Sequence, residues 1–301
     1  MPRSFTRLFL TGTAVVWAFG TAQGATPEKV GASTCMSCHA EAAEQFKQNV
    51  HAKTFSALKN IPFEESCETC HGPGSLHAGA AGDKSNPDFA TIKNPAKAGA
   101  KESSETCLQC HAGGQQMFWK GSKHDVQNVS CAECHSVHSG SGKKLMAKAT
   151  ESETCFQCHS AIKGQINRSA HMPVAEGKLQ CSSCHNPHGS PGTKNLKADS
   201  ANSLCYQCHE DKRGPFLWEH MPVRESCLTC HQPHGSHNDK MLSAKRNLLC
   251  QRCHNSTRHP GTLYQGGDAG NQHNRIFNQS CTNCHSNIHG SNHPSGKFFL
   301  R

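Results

Sequence analysis

The motif Cys-x-x-Cys-His occurs ten times, and its copies use every one of the 20 cysteines. The pairs are Cys35 and Cys38, Cys67 and Cys70, Cys107 and Cys110, Cys131 and Cys134, Cys155 and Cys158, Cys181 and Cys184, Cys205 and Cys208, Cys227 and Cys230, Cys250 and Cys253, and Cys281 and Cys284. Each pair is followed at once by a histidine: His39, His71, His111, His135, His159, His185, His209, His231, His254 and His285. Disulfides are one reading of an even cysteine count, but disulfide pairing needs no histidine after every second cysteine. Two Cys-x-x-Cys pairs can also build a four-thiolate zinc site, and there too the fixed histidine has no role. Histidine makes up only 23 of 301 residues, so ten coincidences out of ten are not chance. The pentad matches covalent c-type haem attachment. Each cysteine adds across one vinyl group, and the histidine binds the iron from one face. The sequence therefore predicts ten c-type haems.

This prediction resolves a shortage of core. The hydrophobic fraction is 35%, against roughly 45–50% for an average globular domain. Ten flat, apolar macrocycles would supply the interior that the side chains lack. The expected architecture is a multihaem c-type cytochrome, mostly irregular with short α-helices and almost no β structure. The 26 Gly and 14 Pro suit such a loop-rich chain.

Thirteen histidines lie outside the pentads, and their phasing divides the chain into five two-haem units, about 30–95, 100–145, 150–195, 200–240 and 245–295. In four units a lone histidine follows the opening cysteine by 15 to 17 positions: His51, His124, His171 and His220. In the fifth, His273 follows by 23. A second histidine follows each unit's second pentad: His138, His188 and His234 at seven positions from its first cysteine, His289 at eight and His77 at ten. These ten are the predicted distal iron ligands. His237, His259 and His293 lie outside the phase and read as solvated, with His259 the alternative to His273. The sequence does not say which distal histidine serves which haem. Met172 and Met221 each follow a phased histidine and are assigned to packing rather than ligation. Phe118, Trp119, Phe216 and Trp218 precede His124 and His220 and are read as packed on haem faces or edges.

The N-terminus reads as a secretory signal over residues 1–24, leaving 25–301 as the mature cytochrome. Arg3 and Arg7 precede an apolar run from Leu8 to Gly20, and small residues stand before Ala25. The apolar run is short of the ~20 residues that a spanning helix needs. The formal charge is +9, two of it from Arg3 and Arg7. About twenty haem propionates would cancel this excess, so the basic sequence does not argue for a nucleic-acid partner.

The phrases "CFQCH", "MFWKGSKHD", "FLWEHMPV" and "ESCLTCHQPHGS", with ten pentads on about 300 exported residues, resemble the MtrA/MtoA/DmsE-type periplasmic decahaem cytochromes. The resemblance covers about residues 30–290. It implies an elongated wire of bis-histidine haems threaded through an outer-membrane β-barrel porin. It further implies periplasmic or inner-membrane-anchored cytochromes on one side and, in some members, an outer-surface multihaem cytochrome on the other. Members differ in direction: some deliver electrons to extracellular ferric minerals or to a dimethyl sulfoxide reductase, and others take them from ferrous iron. The expected location is the periplasm, tied to the outer membrane through the barrel.

Saturated irons argue for electron transfer and against catalysis, because substrate chemistry needs an open or weakly held position. No catalytic residue is assigned. A soluble periplasmic shuttle to a terminal reductase is the alternative, since it too needs a bis-histidine wire. A nitrite or hydroxylamine reductase requires one iron that is not six-coordinate. An extracellular filament would often borrow a histidine between subunits, and this chain has enough of its own.

Overall fold

A computed structural model describes residues 25–140, 142, 144–254 and 279–300. The signal segment, His259 and His273 lie outside the described residues. Helices are short. The longest, α1 (Ala32–Gln48), has 17 residues, and α2 (Val50–Leu58), α3 (Phe63–His71) and α5 (Ala100–Leu108) have nine each, with the five-residue α4 (Ser75–Gly79) between them. Past α5 no described helix exceeds the seven residues of Ser160–Ile166. Among the described residues there are isolated β-bridges but no named strand, as the composition predicts.

The pentads themselves make the helical turns. In each of the last eight, the histidine N–H donates to the carbonyl of the first cysteine at 2.9–3.0 Å, for example His185 to Cys181 and His254 to Cys250. That bond sets the two cysteines one helical turn apart on one face. Polar residues before the pentads start these turns. Thr150 and Glu153 form a reciprocal capping box, with the Thr150 Oγ1 accepting from the Glu153 N–H and the Glu153 carboxylate accepting from the Thr150 N–H. Before two further pentads one half of this arrangement recurs: the Ser130 N–H donates to the Glu133 carboxylate and the Gln180 N–H to the Ser183 hydroxyl.

Each middle unit closes with a tight return. The pentad histidine bridges a residue eleven positions on: His135 with Met146, His185 with Leu196 and His231 with Leu242. The chain turns back through left-handed residues at Leu145, at Lys194 and Asn195, and at Lys240 and Met241. Consecutive units then interlock. Ala170 bridges Ser236, and Trp218 bridges Ser291. At these junctions Gly189, Gly235 and Gly290 have positive φ, and a Cβ there would lie 2.1–2.3 Å from Phe118, Gln165 and Phe216. Only glycine permits so close an approach.

The protein-only core is thin. The buried apolar residues are Ala32, Ala43, Phe46, Phe55, Ala80, Trp119, Leu145, Ile166, Leu242 and Ala244, while Leu58 and Leu217 are more than three-quarters exposed. The first unit compensates with a buried carboxylate. Glu68 accepts from the Val30, Gly31 and Gly74 N–H groups at 2.9–3.0 Å, tying the segment before α1 to α3. Burial pushes this carboxyl up, but the three donors outweigh that effect and hold it below the usual range.

Candidate functional site

Each helical pentad turn presents two thiols on one side and an imidazole beyond them. None of the 20 cysteines is in a disulfide. Among the described residues no cluster of three or more His, Cys, Asp or Glu side chains is placed to hold a metal ion by itself.

The pentad histidines face second histidines across a constant gap. An imidazole nitrogen sits about 2 Å from a first-row metal, so two rings on opposite sides of one iron should have centroids about 6 Å apart. Eight pairs meet this. In the N-terminal half, His39 faces His77 at 6.4 Å, His71 faces His138 at 6.1 Å, His111 faces His51 at 5.8 Å and His135 faces His188 at 6.1 Å. In the C-terminal half, His159 faces His124 at 6.2 Å, His185 faces His234 at 6.0 Å, His231 faces His289 at 6.3 Å and His254 faces His220 at 6.2 Å.

The pairing has a rule. The lone histidine of one unit faces the first pentad of the next: His51 with His111, His124 with His159, and His220 with His254. The trailing histidine faces the second pentad of the unit before: His138 with His71, His188 with His135, His234 with His185, and His289 with His231. Ligation is thus interleaved, and the interlocked junctions carry the crossing histidines. In the first unit the pattern turns back, and His77 meets His39 of the same unit.

Sulfur neighbours run in chain order. Within units, Cys35 is an electrostatic neighbour of Cys67, Cys107 of Cys131, Cys155 of Cys181, Cys205 of Cys227 and Cys250 of Cys281. Between units, Cys70 neighbours Cys110, Cys134 neighbours Cys158, Cys184 neighbours Cys208 and Cys230 neighbours Cys253. All nine successive steps are covered, so the attachment points form one unbroken series.

Backbone carbonyls orient many rings by accepting from Nδ1, which turns Nε2 toward the gap. In the second pentads, His71 donates to Lys93, His135 to Lys144, His185 to Lys194, His231 to Lys240 and His285 to Phe298, at 2.6–2.9 Å. Among the facing histidines, His77 donates to Phe89, His124 to Pro187, His138 to Ala42 and His220 to Ile288. These acceptors are main-chain atoms and carry no side-chain signal. The recurrence of a lysine nine residues after His135, His185 and His231 was the available clue. Burial lowers the pKa of His51, His220, His234 and His289, and takes His188 down to about 4. Neutral imidazole is the form that binds a metal.

His171 is the exception. Its Nε2 is 2.9 Å from the Glu176 carboxylate and its Nδ1 donates to the Arg168 carbonyl, so the structure does not bring it to His209. His237 and His293 are exposed, as expected. Trp119 is buried with its ring 6.3 Å from that of His188. The Phe118 carbonyl floors the Gly189 approach, the Phe216 ring floors the Gly290 approach, and the Trp218 ring lies against Gly296. Met221 is 55% exposed and packs little against the protein.

Paired thiols on helical turns, imidazoles facing across an iron-sized gap and a thin protein core define a multihaem c-type cytochrome, which transfers electrons through c-type haems. Comparison with known proteins agrees. Residues 124–164, 171–214 and 220–259 match the doubled CXXCH motif family, and residues 34–66 and 74–136 match cytochrome c554 and c-prime. Multiheme cytochrome MtrA of Shewanella baltica (strain OS185) is 40% identical over 277 residues, covering 90% of this chain and 81% of that protein. The chain belongs to the MtrA-type multihaem cytochromes. The doubled-motif matches begin at His124, His171 and His220 and run through the next unit's first pentad, which is the frame that the interleaved pairing follows.

Proposed function

We propose that the chain conducts electrons through ten bis-histidine c-type haems between periplasmic carriers and the cell exterior, seated in an outer-membrane β-barrel. The observation that carries this reading is the interleaved set of eight histidine pairs at 5.8–6.4 Å. Its companion is a series of thiol neighbours that follows chain order without a break. Each cysteine of a pentad holds one thioether, the pentad histidine supplies the proximal nitrogen, and the facing histidine supplies the distal one. By the pairing rule His171 serves His209. The rule supplies no partner for His285, the last second pentad, so His273 or His259 of its own unit serves it, as His77 serves His39 at the other end. The bound haems supply the redox couple. The protein sets spacing, orientation and access.

No described helix is long and apolar enough to cross a membrane, so passage across a bilayer would fall to the barrel partner. The surface partners on either side, and delivery to metals or uptake from ferrous iron, belong to the same proposal. Intact mass and haem extraction should give ten haems per chain, and the oxidised protein should be wholly low-spin. Membrane fractionation should recover it with an outer-membrane barrel. Recovery only as a free periplasmic monomer would favour the shuttle reading.

A further inference from the structure

Among the eight described pairs, the one at the third pentad differs in two independent ways. The first is orientation. The His51 and His111 rings cross at 86°. Five other pairs lie at 16–28°, and the remaining two at 40° and 63°. The second is the absence of an anchor. Among the described residues the buried His51 Nδ1 has no hydrogen-bond partner, and the exposed His111 donates to no carbonyl. Every other described pair has at least one imidazole bonded to a carbonyl. The adjacent second pentad has two, His71 to Lys93 and His138 to Ala42.

Local structure explains the crossing. Asn49 caps α2, accepting from the His51 and Ala52 N–H groups, while its own amide donates to the Val137 carbonyl of the next unit. The backbone of His51 is therefore fixed from both sides. Its ring then stands edge-on to buried Phe55, with centroids 6.0 Å apart at 69°. Phe55 is in turn backed by Phe46 at 6.2 Å. Phe55 thus bears on the His51 ring from the side and favours its crossed orientation to His111.

Both differences act on an iron in the same direction. Donation from Nδ1 to a carbonyl makes imidazole a stronger base and stabilises the ferric state, and here it is missing on both sides. Parallel imidazole planes split the iron orbitals that carry the ferric hole, which also stabilises ferric iron, whereas crossed planes leave them nearly degenerate. Solvent exposure of His111 pulls the other way, but His39, His159, His209 and His254 are exposed too, so it does not set the third site apart from other first pentads.

Resting on the bis-histidine reading above, we propose that the haem at Cys107 and Cys110 has the highest potential of the eight with described pairs, and that Phe55 is the positioning residue that keeps it so. Electrons entering the oxidised chain would settle there first. The steepest step between neighbours would then lie between the second and third haems, at the junction of the first two units.

The test is a potentiometric titration of the intact holoprotein followed by electron paramagnetic resonance. Crossed imidazoles give a large-gmax low-spin signal distinct from the rhombic signals of near-parallel pairs. We expect one such dominant signal, lost before the rhombic signals on reduction. Phe55→Leu should shift it toward the rhombic type and delay its loss. Phe89→Leu, beside His77 in a near-parallel pair, should leave it unchanged. Low-spin spectra without a large-gmax signal, or with that signal lost last, would overturn the proposal while leaving bis-histidine ligation intact. High-spin spectra throughout would instead overturn the underlying reading. Should Phe55→Leu fail to accumulate with full haem, the order of loss in the unaltered protein decides alone.

Discussion

The first and second pentads of a unit share the Cys-x-x-Cys-His pattern and a helical turn, yet their histidines are held differently. The second-pentad histidines His71, His135, His185, His231 and His285 each donate Nδ1 to a carbonyl of their own unit. In the middle units that carbonyl lies nine residues on, beside a left-handed turn and a β-bridge that close the unit. The first-pentad histidines His39, His111, His159, His209 and His254 are exposed and lack such an anchor among the described residues. For His39, His111, His159 and His254, orientation depends on the histidine that the preceding unit, or in the first unit the same unit, places opposite. One half of each unit is thus preset locally, and the other half is completed by assembly.

Removing a facing histidine tests this contrast most strongly. Both His188→Ala and His124→Ala should convert one haem from low-spin to high-spin, seen by magnetic resonance. With His188 gone, His135 remains tied to Lys144 and the high-spin signal should be homogeneous. With His124 gone, His159 has no other tether and the signal should be broad. Equal sharpness would break the contrast.

The junctions come next. Gly235→Val puts a side chain against the Gln165 carbonyl at φ +136°, and should cost about 3 kcal/mol, read as a fall in Tm. Gly177, also at positive φ but with nothing within 4 Å, should lose only about 1 kcal/mol as Ala. A similar loss at both would mean that the junction is not tightly packed.

Glu68 supports the first unit without haem. Glu68→Gln should cost about 1–3 kcal/mol through weakened charge-assisted hydrogen bonds. Because the folded carboxyl is held below its unfolded value, its stabilisation is present above the unfolded range and is lost as pH falls through the depressed folded value. The variant should therefore show a flatter acid limb in a pH series of Tm.

The smallest effect concerns His171. If the pairing rule holds in the holoprotein, Glu176→Gln should leave the spectrum wholly low-spin. A high-spin fraction that the substitution removes would show that Glu176 competes with the iron for this ring.

Much of this was legible in the residues. Ten pentads announced covalent haem, and the low apolar content announced a chain without its own core. The phased histidines marked eight residues that the structure does set opposite pentads. His77 and His289 were marked despite irregular spacing, because only iron ligation explained a histidine at the same place in each unit. The carbonyl anchors were not legible, since any residue supplies a carbonyl. Nor was Phe55, one of 13 phenylalanines, which matters only for the ring it wedges.

The sequence by itself determined the chemistry: which atoms can hold haem, how many attachment turns exist, and that enough further histidines are present to offer each turn a second one. Those properties reside in residue type and short spacing. Only the tertiary structure decided the partnership. His138 crosses to His71 and His51 to His111 because one unit's backbone locks into the next, through contacts as distant in sequence as Asn49 with Val137 and Trp218 with Ser291. Such contacts depend on how turns and glycines bring chain segments together, so no local pattern could have specified them.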